Sequence, residues 1–157
     1  MDSSSKANLL GSDPLWWTSL VLSLVGLVDS VYLTWVKIAG AYESCIGIGR
    51  CDIVNQSRFS ELWGQPVALF GALTYLGLVA LLVGEKVFPR WQEMFRMVFF
   101  GISLIGVLFS AYLTYIEVAV LHAICPYCVI SAVVVLIVWS ISMVRLLRET
   151  ANPSDEV

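Results

Sequence analysis

Four cysteines are the residues of this chain whose type and spacing could do chemistry. They form two pairs: Cys45 and Cys51 have five residues between them, and Cys125 and Cys128 have two. Each pair is close enough in sequence to close a disulfide ring, and a thiolate of one pair can attack a disulfide of the other. The spacing therefore predicts thiol–disulfide exchange, provided that the pairs meet in an oxidising compartment.

The elements that must position these cysteines are membrane spans. Of the 157 residues, 59% are hydrophobic and 13% charged, whereas soluble domains have roughly 25% charged residues. We predict a single-domain, all-α membrane protein, a bundle of four transmembrane helices. The net charge of −3 and the absence of a basic cluster argue against a nucleic-acid partner. The predicted spans are about 15–37, 66–84, 97–117 and 126–145, with an outer loop at 38–65.

The distribution of basic residues predicts which side of the membrane the cysteines face. The positive-inside rule places the side with more basic residues in the cytoplasm, and with it both termini, so all four cysteines face outward. The start of the chain has no basic region, so we expect the first apolar run to be retained as a span. The inner basic residues are Lys6, Lys86, Arg90, Arg96, Arg145 and Arg148, and the outer ones Lys37, Arg50 and Arg58.

An internal repeat relates the first and third spans. With a shift of 80 residues, 23–35 superimposes on 103–115, and Cys45 falls on Cys125. The same shift aligns Lys37 with Glu117, two charges that either pair across the outer face or are solvated at its rim. Small residues recur at three- and four-residue steps, which predicts one closely packed face on each helix: Ser23, Gly26, Ser30 and Thr34, and Ser103, Gly106, Ser110 and Thr114.

The Cys125–Cys128 pair stands where the fourth span is predicted to begin. Pro126 suits the first helical position because its missing N–H would have no partner there. A cysteine at a helix start lies near unsatisfied backbone N–H groups and the positive end of the helix dipole. Both effects favour the thiolate over the thiol, and hence exchange.

Three interpretations of the cysteines stay open. Two inert structural disulfides are one, but a two-residue spacer makes a strained ring. A four-cysteine zinc site is another, although zinc would leave the position at the membrane edge unexplained. We favour a relay in which one pair passes electrons to the other. Because no haem, flavin or dinucleotide motif is visible, a lipid-soluble quinone is the natural acceptor.

Two further titratable residues could serve such a site. Asp29 lies inside the first span, where acids usually face a cavity or the bundle interior. It could hydrogen-bond a helix or the loop, or deliver protons to a reduced quinone. His122 could assist thiolate formation or quinone protonation, or be incidental. The stretch 54–63 has partial helical spacing and predicts a short amphipathic helix over the mouth of the bundle.

These motifs resemble the vitamin K epoxide reductase family, specifically its prokaryotic members without a fused thioredoxin domain. The shared features are the four-span plan, the outer C-x5-C followed by Asp52, Ser57 within 51–64, the GQP…LFG entry to the second span at 64–71, and the CxxC that opens the fourth. Bacterial disulfide-bond protein B, another four-span disulfide oxidase, carries its pairs in the reverse order and is the weaker match.

The resemblance implies a role for each cysteine. Cys45 would exchange with a thioredoxin-like partner, and Cys51 would hand the electrons on through an interloop disulfide with Cys125. Cys128 would react with the quinone. The implied activity is electron transfer from that partner through both pairs to a quinone, which drives disulfide formation in secreted proteins.

The resemblance also implies the surroundings of the reaction. Ser57 would lie near the quinone oxygen. Phe70, and the residues Asp29 and His122 considered above on their own chemistry, are further candidate contacts, and we expect no metal. The quinone would be ubiquinone, menaquinone or phylloquinone, and the location a bacterial or archaeal cytoplasmic membrane. Because the chain stops at Val157, we expect the thioredoxin-like partner to be a separate protein.

Two departures from the vertebrate members bear on the substrate. An asparagine at the start of their second span aligns with Val67, and a tyrosine four residues after their CxxC aligns with Ala132. Both count against genuine epoxide reduction. An epoxide or quinone reductase proper stays an alternative, as does a non-catalytic membrane protein with two structural disulfides, for which Cys128→Ala would leave function intact.

Overall fold

The computed structural model describes residues 14–40, 60–62 and 64–151. Cys45, Cys51 and Ser57 lie outside the described residues, so their predicted roles stay predictions. Of the amphipathic helix predicted at 54–63, only 60–62 is described, and Glu61–Leu62 is a strand rather than helix. The reason is local pairing: this strand, β1, runs antiparallel to β2 at Gln65–Pro66, and Gly64 supplies the positive φ of 76° that the turn needs.

Within the described residues, four long helices make up the fold. Each is long and apolar enough to cross a membrane, and the predicted all-α bundle of four membrane helices is confirmed. The first helix packs mainly on the second and fourth, and the third on the fourth and second. The helices are α1 at Pro14–Ala39, α2 at Val67–Val87, α3 at Gln92–Tyr115 and α4 at Pro126–Ala151.

The connection between α2 and α3 is shorter than the loop expected at 85–96. It consists of Phe88 and a 3₁₀ turn at Pro89–Trp91. The helices extend into the predicted loop because the charges there are paired rather than solvated. Glu85 is 5% exposed, and its Oε1 accepts hydrogen bonds from Arg96 Nε at 2.8 Å and Arg145 Nη2 at 2.6 Å. This cluster joins the ends of α2, α3 and α4.

The small-residue face predicted on α1 is confirmed. Its four members, Ser23, Gly26, Ser30 and Thr34, are all buried. Gly26 lies against the ring of Tyr75 on α2. The corresponding face of α3 is only partly packed, since Ser103 is buried whereas the next three small residues line a cavity: Gly106, Ser110 and Thr114.

Candidate active site

The Cys125–Cys128 pair opens α4 as the sequence predicts. The helix begins at Pro126, and the carbonyl of Cys125 accepts the N–H of Val129 at 3.1 Å, the first bond of the helix. Cys125 is 2% exposed, whereas Cys128 is partly accessible and its thiol lies close enough to that of Cys125 to interact with it. The two sulfurs are therefore adjacent, and one of them is reachable.

Both cysteines line a cavity enclosed by residues of all four helices. Its volume is about 460 Å³, within the range of roughly 300–1,000 Å³ typical of small-molecule sites. The walls are mostly apolar and include Phe70, one of the predicted contacts. Tyr75 and Ser131 add polar groups: the Tyr75 hydroxyl donates to the Ser131 carbonyl at 2.9 Å. The cavity can hold a flat apolar ring with polar edges beside the reachable thiol.

Glu117 is a site residue that the sequence did not identify as one. The expectation that it is a solvated rim charge is wrong, because it is 4% exposed and lines the cavity. Its Oε2 accepts the backbone N–H of Cys125 at 3.3 Å. Its carboxylate also lies close enough to the thiol of Cys128 to interact with it electrostatically. The available signal was an acid within an apolar segment eight residues before a CxxC, a position as costly as that of Asp29.

A break in helical regularity places Glu117 against the cysteines. Ile116–Leu121 forms a π-helix that extends α3, a feature often found at functional sites. The segment ends at His122, whose φ of 49° is left-handed. The carbonyl of Glu117 accepts the N–H groups of both His122 and Ala123. The backbone and side chain of Glu117 thus hold the turn that leads into the CxxC.

Asp29 and His122, two other predicted site residues, are not among the residues of the described chain that line the cavity. His122 is exposed. Asp29 is half-buried on α1, close enough to Tyr75 to act on it electrostatically. Lys37, for which pairing with Glu117 was one of the two alternatives, forms an ion pair with Glu61 at 3.3 Å.

One buried and one accessible thiol at the start of a membrane-length helix, beside an apolar cavity, are an arrangement that can carry thiol–disulfide exchange. Comparison with known proteins identifies the family. A sequence profile of the vitamin K epoxide reductase family matches residues 17–143, and the chain belongs to that family. The chain is also similar to the thiol-disulfide oxidoreductase LTO1 of Arabidopsis thaliana, with 32% identity over 112 residues. The aligned region covers 68% of this chain and 30% of that relative.

Proposed function

We propose that this protein oxidises an extracytoplasmic thioredoxin-like protein and passes the electrons to a quinone in the bilayer. The observation that carries the proposal is the position of the Cys128 thiol, at the wall of an apolar cavity and in contact with Cys125. A dithiol in that position can reduce a ring that enters from the membrane. A structural disulfide would need no cavity beside it.

The electron path uses both cysteine pairs. The partner's dithiol reduces the Cys45–Cys51 disulfide, and the Cys51 thiolate then attacks the sulfur of Cys125, which releases Cys128 as a thiol. The Cys45 thiolate next attacks Cys51, which restores the loop disulfide and leaves both CxxC thiols reduced. Oxidation of that pair gives two electrons and two protons to the quinone.

The described residues support the proposed orientation. The CxxC and its cavity lie at one end of the bundle, between the start of α4 and the end of α3. The buried cluster of Glu85, Arg96 and Arg145 lies at the other end. Basic residues collect on the cytoplasmic side of membrane proteins, which favours an orientation in which the cysteine end faces outward.

The test is reduction of a quinone by the purified protein, supplied with a small dithiol. Cys125→Ala and Cys128→Ala should each abolish turnover. Cys45→Ala and Cys51→Ala should retain part of it, because a small dithiol can reach the CxxC without the loop pair. No quinone reduction by the wild type, or full activity of Cys128→Ala, would overturn the proposal.

A second experiment addresses the protein partner. In Cys51→Ala the loop disulfide cannot form, and Cys45 is a free thiol that can attack a disulfide of the partner. A thioredoxin-like protein whose second active-site cysteine is replaced by alanine, added as the mixed disulfide of its first cysteine with a small thiol, should therefore form a stable covalent complex with Cys45 and release the small thiol. The double variant Cys45→Ala/Cys51→Ala is the matched control and should form no complex. Equal trapping by both variants would contradict the role of Cys45.

A further inference from the structure

Glu117 is a buried acid that the electron path described above leaves without a role. In the part of the chain that the structure describes, no basic side chain forms an ion pair with it. Its partners are instead the backbone N–H of Cys125 and the thiol of Cys128. A carboxylate is expensive to keep in a membrane span, and such residues usually mark a functional site.

We propose that Glu117 is the catalytic base and acid that moves the proton of the Cys128 thiol. The inference rests on the proposed function, because it assigns the proton transfers of the same reaction. The carboxylate accepts the backbone N–H of Cys125 at 3.3 Å and lies close enough to the Cys128 thiol to interact with it. It also lines the cavity in which the acceptor would lie. A carboxylate that lies beside the thiol and also at the cavity wall can take a proton from sulfur and release it to an oxygen of the quinone.

Glu117 takes the proton of the Cys128 thiol, and the thiolate forms a carbon–sulfur bond to the quinone ring, whose displaced electron pair resides on one ring oxygen. Glu117 returns the proton to that oxygen. Deprotonated Cys125 then attacks the Cys128 sulfur, so that the sulfur–sulfur bond forms and the carbon–sulfur bond breaks. The second electron pair goes to the other oxygen, which takes the proton from Cys125. Two thiols are oxidised, and one quinone becomes a quinol.

The competing explanation is purely structural. Glu117 also holds the turn before α4, through the hydrogen bond from the Cys125 N–H at 3.3 Å. The variant Glu117→Gln separates the two roles, because an amide oxygen still accepts that bond but the amide cannot take a proton from a thiol. Glu93→Gln is the matched control, since Glu93 lies exposed in the first turn of α3 at the opposite end.

The first measurement does not involve a quinone. The reduced full-length protein is treated with iodoacetamide over a range of pH, and alkylation of Cys128 is followed separately from that of Cys125 by mass spectrometry. The other titratable side chains that line the cavity in the described chain are Cys125 and Tyr75. At pH values below its pKa, an unassisted thiol becomes about tenfold more reactive for each unit by which the pH rises, because only the thiolate reacts.

In the wild type, the thiol shares its proton with Glu117, so the alkylation rate of Cys128 should change little with pH around neutrality. Glu117→Gln should restore the steep dependence of an unassisted thiol. Quinone turnover at neutral pH should fall about 100-fold or more in this variant. Glu117→Asp should keep the flat profile and recover part of the turnover, and Glu93→Gln should match the wild type in both measurements.

The same pH profile and turnover in Glu117→Gln as in the wild type would overturn the inference. If Glu117→Gln fails to fold, Glu117→Asp is measured instead. A steep pH dependence of Cys128 alkylation in that variant would also overturn the inference. Should the wild type reduce no quinone while Cys128 alkylation still depends on Glu117, the proposed electron acceptor is wrong but the proton transfer stands. If Glu117→Gln reduces quinone at the wild-type rate, the quinone is still the electron acceptor but Glu117 is not the catalytic base.

Discussion

Gly26 faces the ring of Tyr75 so closely that a β-carbon at residue 26 would overlap Tyr75 Cζ. The ring occupies the space that a side chain would need, and Tyr75 is 3% exposed. Its hydroxyl lies 2.9 Å from the carbonyl oxygen and 3.1 Å from Oγ of Ser131. Tyr75 therefore connects α1, at Gly26, with α4, at Ser131. Ser131 follows Cys128 by less than one turn of α4, so these contacts lie next to the dithiol.

Gly26→Ala should destabilise the bundle. The added methyl group overlaps the Tyr75 ring, and overpacking of this kind costs typically about 1–3 kcal/mol. Gly77→Ala is the matched control, because nothing lies within 4 Å of a β-carbon there. Thermal unfolding in detergent should show a lower Tm for Gly26→Ala, and an unchanged or slightly higher Tm for Gly77→Ala, since alanine favours helix. Equal values for the two variants would contradict the close packing.

Tyr75→Phe should cost less than Gly26→Ala, since the ring stays in place and only the hydrogen bond to Ser131 is lost. Such a bond contributes about 0.5–1.5 kcal/mol. Ser131→Ala should cost less again, because the hydroxyl still donates to the backbone carbonyl at 2.9 Å. The free energies of unfolding of both variants and of the double variant form a cycle that measures the coupling. Strictly additive effects would contradict the Tyr75 Oη–Ser131 Oγ contact.

The sequence predicts those parts of the fold that depend on local pattern. Hydropathy identifies the four helices, the spacing of small residues identifies the packed face around Gly26, and Pro126 identifies the start of α4. Each of these signals lies within one helix and reflects a property of its own residues. The placement of Phe70 at the cavity wall came instead from the family resemblance.

The features that the sequence did not predict depend on long-range contacts. Glu85 and Arg145 are 60 residues apart, and their pairing lets α2 and α3 extend through segments that look like a polar loop. Glu117 looks like a rim charge unless the π-helix is known, and no pattern in the sequence marks that change of helical geometry. The predictions for Cys45, Cys51 and Ser57 rest on the resemblance and await experiment.

Removal of the Glu85 carboxylate should destabilise the bundle more than any single change at the cavity. The side chains of Glu85, Arg96 and Arg145 are 4%, 15% and 10% exposed, so Glu85→Gln removes the anion that two largely buried cations share. Breaking one partner of a buried pair costs roughly 3–5 kcal/mol. Glu85→Gln should have a markedly lower Tm than the wild type. Glu93→Gln, at an exposed position of α3, should have the same Tm as the wild type. Comparable Tm values for the two variants would show that the cluster does not hold the helix ends.

A bulky side chain in the cavity should block the quinone without disturbing the thiols. Ser110 lines the cavity from α3, and Ser110→Phe places an aromatic ring in the space proposed for the quinone. We expect the KM for quinone to rise about tenfold or more, which corresponds to a loss of at least ~1.4 kcal/mol of binding free energy. Reduction of the Cys125–Cys128 disulfide by a dithiol, measured by thiol alkylation, should stay near the wild-type rate. Leu108→Phe is the matched control, because Leu108 lies on the same helix and is 63% exposed. A similar rise in KM for both variants would show that the ring acts through the helix rather than by filling the cavity.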